Sequence, residues 1–125
     1  MDKINKILCV CKGGIVRSPA MATVLKLKYS ADVLTASLDF NSGETLIMLC
    51  DWADLILVPE DWMKERLLAH IYKVMVLPVG PDVWGNTHDS GLLDLVNALL
   101  KERLTRTLRV VDDKIVRYRM KQTGG

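Results

Sequence analysis

The sequence predicts a three-layer α/β fold in which helices flank a four-stranded parallel sheet. Short apolar, β-prone runs alternate along the chain with longer segments that have the apolar pattern of helices. This alternation favours parallel strands joined by right-handed crossovers. The chain has 125 residues, of which 50% are hydrophobic and 26% are charged, so we expect one domain with a modest core.

Local signals place the elements in order along the chain. Residues 6–10 form a short apolar run of the kind that a buried parallel strand requires. A helix is predicted over residues 18–28, because Ser18 suits an N-cap and Pro19 suits the first helical position. The same signals predict strands at residues 32–36, 54–58 and 73–77 and helices at residues 43–51, 60–70 and 92–104.

The C-terminal segment has a different pattern. Asp112 and Asp113 lie between two β-prone runs, which predicts a hairpin within residues 108–119. We therefore expect residues 1–107 to form the α/β domain and residues 108–125 to be an extension that packs on it or trails it. The basic residues of this extension favour a solvated, edge-protecting face over a binding site for an acidic partner.

The segment between the first strand and the first helix combines a thiol, small residues and a guanidinium. Five residues separate Cys11 from Arg17. Backbone N–H groups and the positive end of a helix attract an anion to such a loop, and they favour an ionised thiolate there. A planar guanidinium binds two phosphate oxygens at once. The loop thus predicts an anion site that contains a nucleophile. Its predicted phosphate-binding residues are Lys12, Gly13, Gly14, Ile15, Val16, Arg17 and Ser18, although Lys12 also suits a solvated position at the mouth.

This segment resembles the signature of the low-molecular-weight protein tyrosine phosphatases, a cysteine followed after five residues by Arg-Ser, close to the N-terminus. The match runs from Val10 to Pro19 and continues into Met21-Ala22. The resemblance implies a strand order of 2-1-3-4. It also implies hydrolysis of phosphomonoesters through a cysteinyl-phosphate intermediate on Cys11, with a phosphotyrosine protein or a small aryl phosphate as substrate. In this mechanism Ser18 tunes the thiolate.

A general acid is expected after the fourth predicted strand. Asp82 lies in a Pro- and Gly-rich loop, and the carboxyl ends of parallel strands meet at one edge of a sheet, so Asp82 should lie near Cys11. The loop resembles the acid loop of the same family, except that the proline precedes the aspartate here. The resemblance implies that Asp82 protonates the leaving oxygen and then activates water. His88 and Asp89 are rival acids in a less convincing register.

Two aromatic residues are candidates for the substrate pocket. The resemblance implies that Trp84 forms a wall for the substrate's ring. Phe40 is a second candidate, although a core or turn role is favoured for it. The loop also departs from the family pattern, because Gly14 replaces the usual Asn and Val16 replaces a second cysteine that many members carry. A disulfide across the loop is therefore not expected.

Three other functions compete with hydrolysis. A catalytically weak or inactive phosphoprotein-binding module would fit the altered loop and a segment after the second strand that is shorter than the family's. A thiol-dependent arsenate reductase would need a second cysteine, for which only Cys50 is even roughly placed. A phosphocarrier domain also holds a phosphocysteine in a Gly-rich loop, but it would have no need of Arg17 and Asp82.

Composition argues against several other classes of function. A net charge of +2 is too small to indicate binding of nucleic acid or of a membrane surface, and no apolar run reaches the length of a membrane span. Three cysteines make no disulfide framework, which favours a reducing, cytoplasmic setting. We expect Cys9 in the core and Cys50 on a helix, half-buried. No cofactor is expected, and no metal, because neither His nor Cys recurs at ligand spacing.

Overall fold

Four parallel strands form the central sheet of the computed structural model, which describes residues 6–13, 16–29, 31–80, 83–84, 86 and 88–104. The strands are β1 (Lys6–Cys11), β2 (Asp32–Ser37), β3 (Leu55–Val58) and β4 (Val74–Val76). Their order is β2-β1-β3-β4, as predicted, and all three pairings are parallel. The predicted α/β fold is therefore confirmed.

The central position of β1 explains its apolar sequence. Ile7 pairs with Val33 of β2 on one side and with Leu55 of β3 on the other. Every residue of β1 after Lys6 is buried, because helices cover both faces of the sheet at this strand. A parallel strand that is covered on both faces has to be apolar at consecutive positions.

Within the described residues, four helical segments connect and cover the strands. They are α1 (Arg17–Lys28), α2 (Gly43–Trp52), a 3₁₀ helix (Asp61–Lys73) and α3 (Ser90–Leu104). Helices α1 and α3 pack on one face of the sheet, where Met21, Leu25 and Leu92 join Ile7 in one apolar cluster. Helix α2 and the 3₁₀ helix contribute to a second cluster on the opposite face. The sheet thus separates two apolar cores, as expected for a three-layer domain.

Helix α1 begins one residue earlier than predicted. Val16 is its N-cap and makes no side-chain capping bond, so the predicted capping role of Ser18 is wrong. Ser18 and Pro19 are the second and third helical residues. Pro19 is tolerated there because the first N–H groups of a helix have no partner within the helix. The Ser18 side chain is buried and serves a contact described below.

The predicted helix over residues 60–70 is instead the 3₁₀ helix. Its backbone departs from helical angles at Leu67 and at His70. Both residues are buried, and Nε2 of His70 lies 2.6 Å from Oδ1 of Asp51 at the end of α2. The breaks therefore coincide with side chains that join this segment to its neighbours. The tight 3₁₀ geometry rarely persists over many residues without such interruptions.

The 3₁₀ helix also closes the C-terminal end of α2. Nζ of Lys73 donates hydrogen bonds to the carbonyls of Cys50 at 2.9 Å and Ala53 at 2.8 Å. These bonds satisfy carbonyl groups that a helix end leaves unpaired. Cys50 is only 1% exposed, so the expectation that it is half-buried is wrong.

The predicted hairpin within residues 108–119 lies outside the described residues, as does the boundary between residues 107 and 108. The division into a domain and a C-terminal extension therefore stays a prediction. Within the described part of the chain, no helix is long and apolar enough to cross a membrane.

Candidate anion site at the carboxyl edge of the sheet

Cys11 is the last residue of β1 and lies where the chain leaves the sheet for α1. It is 2% exposed. Its Sγ lies 3.2 Å from Oγ of Ser18, and the two side chains are hydrogen bonded. As a thiol, Cys11 donates to the hydroxyl, and as a thiolate it would accept from it. This bond joins the strand end to the first turn of α1.

Arg17 is the first residue of α1, and its side chain is almost completely buried, with 2% exposure. Nη1 donates to Oε2 of Glu60 at 2.6 Å and to the carbonyl of Gly80 at 2.7 Å. Nε is buried and has no hydrogen-bond partner among the described residues. A buried donor of this kind usually has an acceptor, so the guanidinium has capacity for a further anionic partner.

The turn after β2 is hydrogen bonded to the start of the Cys11 loop. The backbone N–H of Leu38 donates to the Cys11 carbonyl, and that of Asp39 donates to the Lys12 carbonyl, both at 3.0 Å. Oγ of Ser37 also donates to the Lys12 carbonyl, at 2.8 Å. The start of the loop is thus held from its side. The Lys12 side chain is exposed, as a solvated position at the mouth requires.

Phe40 lies in this turn, and its side chain is 76% exposed. Its backbone N–H donates to Oγ of Ser37 at 3.0 Å. The turn role expected for Phe40 is therefore confirmed, whereas a core role is wrong. Its role in a substrate pocket stays a prediction.

The loop after β4 approaches the same edge. The N–H of Gly80 donates to the carbonyl of Pro59, next to Glu60, at 3.2 Å. Gly80 has a φ of +86°, a conformation in which a residue with a β-carbon is strained. The loop therefore turns at Gly80 and presents its carbonyl to Arg17. Asp82, Gly14 and Ile15 lie outside the described residues, so their predicted roles stay predictions.

Trp84 is partly buried and packs against the apolar cluster of α1 and α3. Its ring lies close to α3, because a β-carbon added to Gly91 of that helix would be 3.4 Å from Cζ3 of the Trp84 ring. The indole Nε1 is buried without a partner among the described residues. Trp84 therefore has a packing role, and its predicted role as a pocket wall stays a prediction.

The rival acid Asp89 has a structural role at the start of α3. Its Oδ1 accepts a hydrogen bond from the N–H of Leu92 at 3.2 Å, as a helix-capping carboxylate does. The N–H of His88 donates to Oδ1 of Asn86 at 2.8 Å in the preceding turn. Neither residue is joined by a hydrogen bond or ion pair to Cys11 or Arg17 in the contacts that the described residues make.

The other two cysteines are poor nucleophiles. Burial raises the pKa of the Cys9 thiol far above its ordinary value, and the neighbouring Cys11 adds to the effect. Burial likewise raises the pKa of Cys50, with Lys73 opposing the shift. Cys9 lies in the core, as expected. In the part of the chain that the structure describes, no group of three or more His, Cys, Asp or Glu residues could hold a metal ion.

Glu60 is the site residue that the sequence prediction missed. It lies two residues after the end of β3, at the edge where Cys11 ends β1 and Gly80 follows β4. The signal that could have found it is an acidic residue two positions after the end of a buried strand. The pairing itself leaves no local trace, because Arg17 and Glu60 are 43 residues apart.

Solved structures with this fold include several phosphatases. The tyrosine phosphatase Wzb from Escherichia coli K30, solved with phosphate, is 19% identical, with a TM-score of 0.63 over 79% of this chain and 95% of Wzb. SP-PTP, a low-molecular-weight protein tyrosine phosphatase from Streptococcus pyogenes, is 20% identical, with a TM-score of 0.63 over 82% and 93% of the two chains. The YwlE arginine phosphatase from Geobacillus stearothermophilus is 19% identical, with a TM-score of 0.50 over 94% of both chains.

The predicted resemblance to the low-molecular-weight phosphatases is thus confirmed in three dimensions, at the level of the fold. No protein-family model and no curated protein sequence matches the chain.

Proposed function

We propose that this protein hydrolyses phosphomonoesters, with phosphotyrosine in proteins as its substrate and Cys11 as its nucleophile. One observation carries the proposal: Arg17 is buried at the start of α1, its Nε–H has no partner among the described residues, and the next residue is the serine that bonds Cys11. A phosphoryl group would supply an acceptor for Nε–H, which the described residues do not supply, and the electrophile that a thiolate attacks. The shared fold with tyrosine phosphatases supports the same conclusion.

The first chemical step would be attack by the Cys11 sulfur on phosphorus. A phosphorus–sulfur bond forms, the ester phosphorus–oxygen bond breaks, and the leaving oxygen takes a proton from the Asp82 carboxylic acid. Arg17 and the N–H groups of the loop would stabilise the charge on the equatorial oxygens. In the second step the Asp82 carboxylate would accept a proton from water. That water attacks phosphorus, and the phosphorus–sulfur bond breaks to release phosphate and the Cys11 thiolate.

Ser18 would contribute mainly to the second step. Its hydroxyl lies 3.2 Å from the sulfur, within reach to donate to the thiolate as it leaves phosphorus. A donor to a developing anion in a buried site lowers the barrier because it is already oriented.

The place of Gly80 supports Asp82 as the acid. The carbonyl of Gly80 is bonded to Arg17, and Asp82 follows only two residues later. Two residues span at most about 7 Å, so the chain length would allow the Asp82 carboxyl to approach the guanidinium.

An aromatic substrate is supported by the turn that carries Phe40. This turn is bonded to Cys11 and Lys12 through backbone groups, and the Phe40 side chain is exposed. An exposed ring in a turn that is bonded to the Cys11 loop would offer a surface on which an aryl group can stack. Trp84 is the second candidate for such a contact.

The arsenate reductase alternative finds no support in the placement of Cys50. Cys50 belongs to the apolar cluster on the α2 face of the sheet. Cys9 lies on the α1 face, and Cys11, two residues further along the strand, bonds Ser18 of α1. A disulfide relay between Cys11 and Cys50 would therefore have to join side chains from opposite faces of the sheet.

Hydrolysis of para-nitrophenyl phosphate and of a phosphotyrosine peptide tests the proposal. We expect activity in the wild type, none in Cys11→Ser, and accumulation of phosphorylated Cys11 in Asp82→Ala. Cys50→Ala is the matched cysteine control and should keep its activity. Equal activity in the Cys11→Ser protein would contradict the mechanism.

The same assays separate the alternatives. Binding of the phosphopeptide by the wild type without hydrolysis would identify a binding module. Arsenate reduction with loss of the Cys11 and Cys50 thiols would identify a reductase. A preference for phosphoarginine over phosphotyrosine would change the substrate while leaving the role of Cys11 intact.

A further inference from the structure

We propose that Glu60 is a positioning residue, which orients the Arg17 guanidinium so that one of its edges is presented to phosphate. Glu60 acts through Arg17 and does not touch the substrate. The proposal rests on the function proposed above, in that the anion bound by Arg17 is the phosphoryl group of the substrate.

The placement of the Glu60 side chain points away from a role in its own helix. Glu60 occupies the N-cap position of the 3₁₀ helix, where a side chain commonly bonds a backbone N–H of the first turn. Its side chain makes no such bond, and Oε2 instead lies 2.6 Å from Nη1 of Arg17. Glu60 is 24% exposed, whereas its partner is 2% exposed. The carboxylate thus extends from the rim of the site to a buried cation.

The identity of the contacted nitrogen decides what Arg17 can still do. A guanidinium has five N–H donors, and Nη1 carries two of them on the side of Cδ. Glu60 and the Gly80 carbonyl, the two acceptors on Nη1, match those two donors in number. The opposite edge of the group carries Nε–H and one N–H of Nη2 in parallel, which is the geometry for bidentate binding of phosphate. Nε on that edge is the buried nitrogen without a partner among the described residues.

Two acceptors on Nη1 therefore fix the rotation of the guanidinium plane. The Gly80 carbonyl is a neutral acceptor, and Glu60 is the charged one, so Glu60 contributes the stronger of the two bonds. The carboxylate also compensates a cation that is otherwise buried at the end of the sheet. Without Glu60, we expect the guanidinium to turn toward other acceptors or toward water, which would displace the edge that binds phosphate.

Variants of Glu60 test this role through phosphate binding as well as turnover. Glu60→Ala removes the acceptor, Glu60→Gln keeps an acceptor without charge, and Glu65→Gln changes an exposed glutamate of the same 3₁₀ helix as a control. The measurements are the affinity for inorganic phosphate by calorimetry, kcat and KM with para-nitrophenyl phosphate, and Tm. We expect Glu60→Ala to lower phosphate affinity and kcat/KM by about 10- to 100-fold, the range for a group misplaced by about 1 Å. Glu60→Gln should recover part of the loss, and Glu65→Gln should match the wild type.

Measuring the Glu60→Gln substitution in an Arg17→Lys protein separates a positioning role of Glu60 from a general effect on stability. In an Arg17→Lys protein, Glu60→Gln should change phosphate affinity by no more than about twofold, because two residues that act through one interaction are not additive. Equal losses in both backgrounds would overturn the proposal, and so would wild-type phosphate affinity in Glu60→Ala.

The two proposals fail in different ways. If the wild type hydrolyses the substrate and the Glu60 variants do so equally well, only the positioning role is overturned. Phosphate binding without hydrolysis overturns only the proposed function, while the affinity series still decides the role of Glu60. A wild type that neither binds nor hydrolyses phosphate overturns both.

Discussion

The sulfur of Cys11 and the hydroxyl of Ser18 are hydrogen bonded at 3.2 Å, with both side chains buried. Bulk water is therefore a poor alternative partner for the sulfur. A thiolate formed here depends on the few donors that the protein supplies, and Ser18 is one of them.

Ser18→Ala should accordingly slow turnover more than it weakens substrate binding. A hydrogen bond to a charged group contributes about 1.5–3 kcal/mol, so kcat should fall roughly 10- to 100-fold with a smaller change in KM. Steady-state kinetics with para-nitrophenyl phosphate measures the effect. Thr23→Ala removes from the same helix a hydroxyl that donates to the Pro19 carbonyl, and it should leave kcat unchanged. An unaltered kcat in Ser18→Ala would show that the hydroxyl has no part in the reaction.

Gly80→Ala should reduce both stability and activity. An added β-carbon would have no atom of the described residues within 4 Å apart from its chain neighbours, so we attribute the penalty to the φ of +86°. A residue with a β-carbon in this region costs about 1–2 kcal/mol, and relief of the strain would move the carbonyl that accepts from Arg17.

Gly43→Ala is the matched control for that measurement. Its added β-carbon also meets open space, but Gly43 is the first residue of α2 and does not have a positive φ. This variant should be neutral or slightly stabilised. Urea unfolding and phosphatase assays of the two alanine variants give the comparison, and equal stability of the two proteins would refute the strain argument.

The buried thiol of Cys9 predicts a loss of stability at alkaline pH. Its pKa is raised in the folded protein above the value of about 8.5 for an unfolded cysteine, mainly by burial. The stabilisation from this group is therefore complete below about pH 8.5 and is lost as pH rises above it. Above about pH 8.5, the Cys9 thiol lowers the free energy of unfolding by about 1.4 kcal/mol for each pH unit, because it ionises in the unfolded chain and not in the folded protein.

Urea unfolding at pH 7.5 and 9.5 measures this dependence. Cys9→Ala should be less stable than the wild type at pH 7.5, because it leaves a cavity, but it should lose less stability on going to pH 9.5. A variant that loses as much as the wild type would assign the alkaline dependence to other groups.

The strands follow from the sequence because each strand is a short apolar run in a repeating strand–helix pattern, whereas their order was implied by the resemblance to the phosphatase family. The type of each helix and the residue at which it begins depend on side-chain contacts that the apolar pattern does not reveal. Ser18 has the composition of an N-cap, yet its side chain bonds Cys11. The segment that begins at Asp61 has an apolar spacing that suits an α-helix, yet the contact between His70 and Asp51 accompanies a broken 3₁₀ conformation.

For the site, residue types in the loop sufficed to single out Cys11 and Arg17. The hydrogen-bond acceptors of Arg17 could not be predicted from residue types, because nothing in the sequence around Glu60 or Gly80 indicates a contact with an arginine far away along the chain. Gly80 shows the same limit, since its glycine indicates a turn but not the side chain that its carbonyl meets.

The contacts of Arg17 have a consequence for how the protein folds. They join residues 43 and 63 positions apart, so the site assembles only after long loops have closed. Such closure costs chain entropy before any contact compensates for it, which makes nonlocal structure slow to form. Helix α1 can begin to form from its own residues, whereas the anion site requires β3 and β4 in register. During refolding, recovery of hydrolysis should therefore coincide with completion of the sheet and follow the recovery of helical circular dichroism.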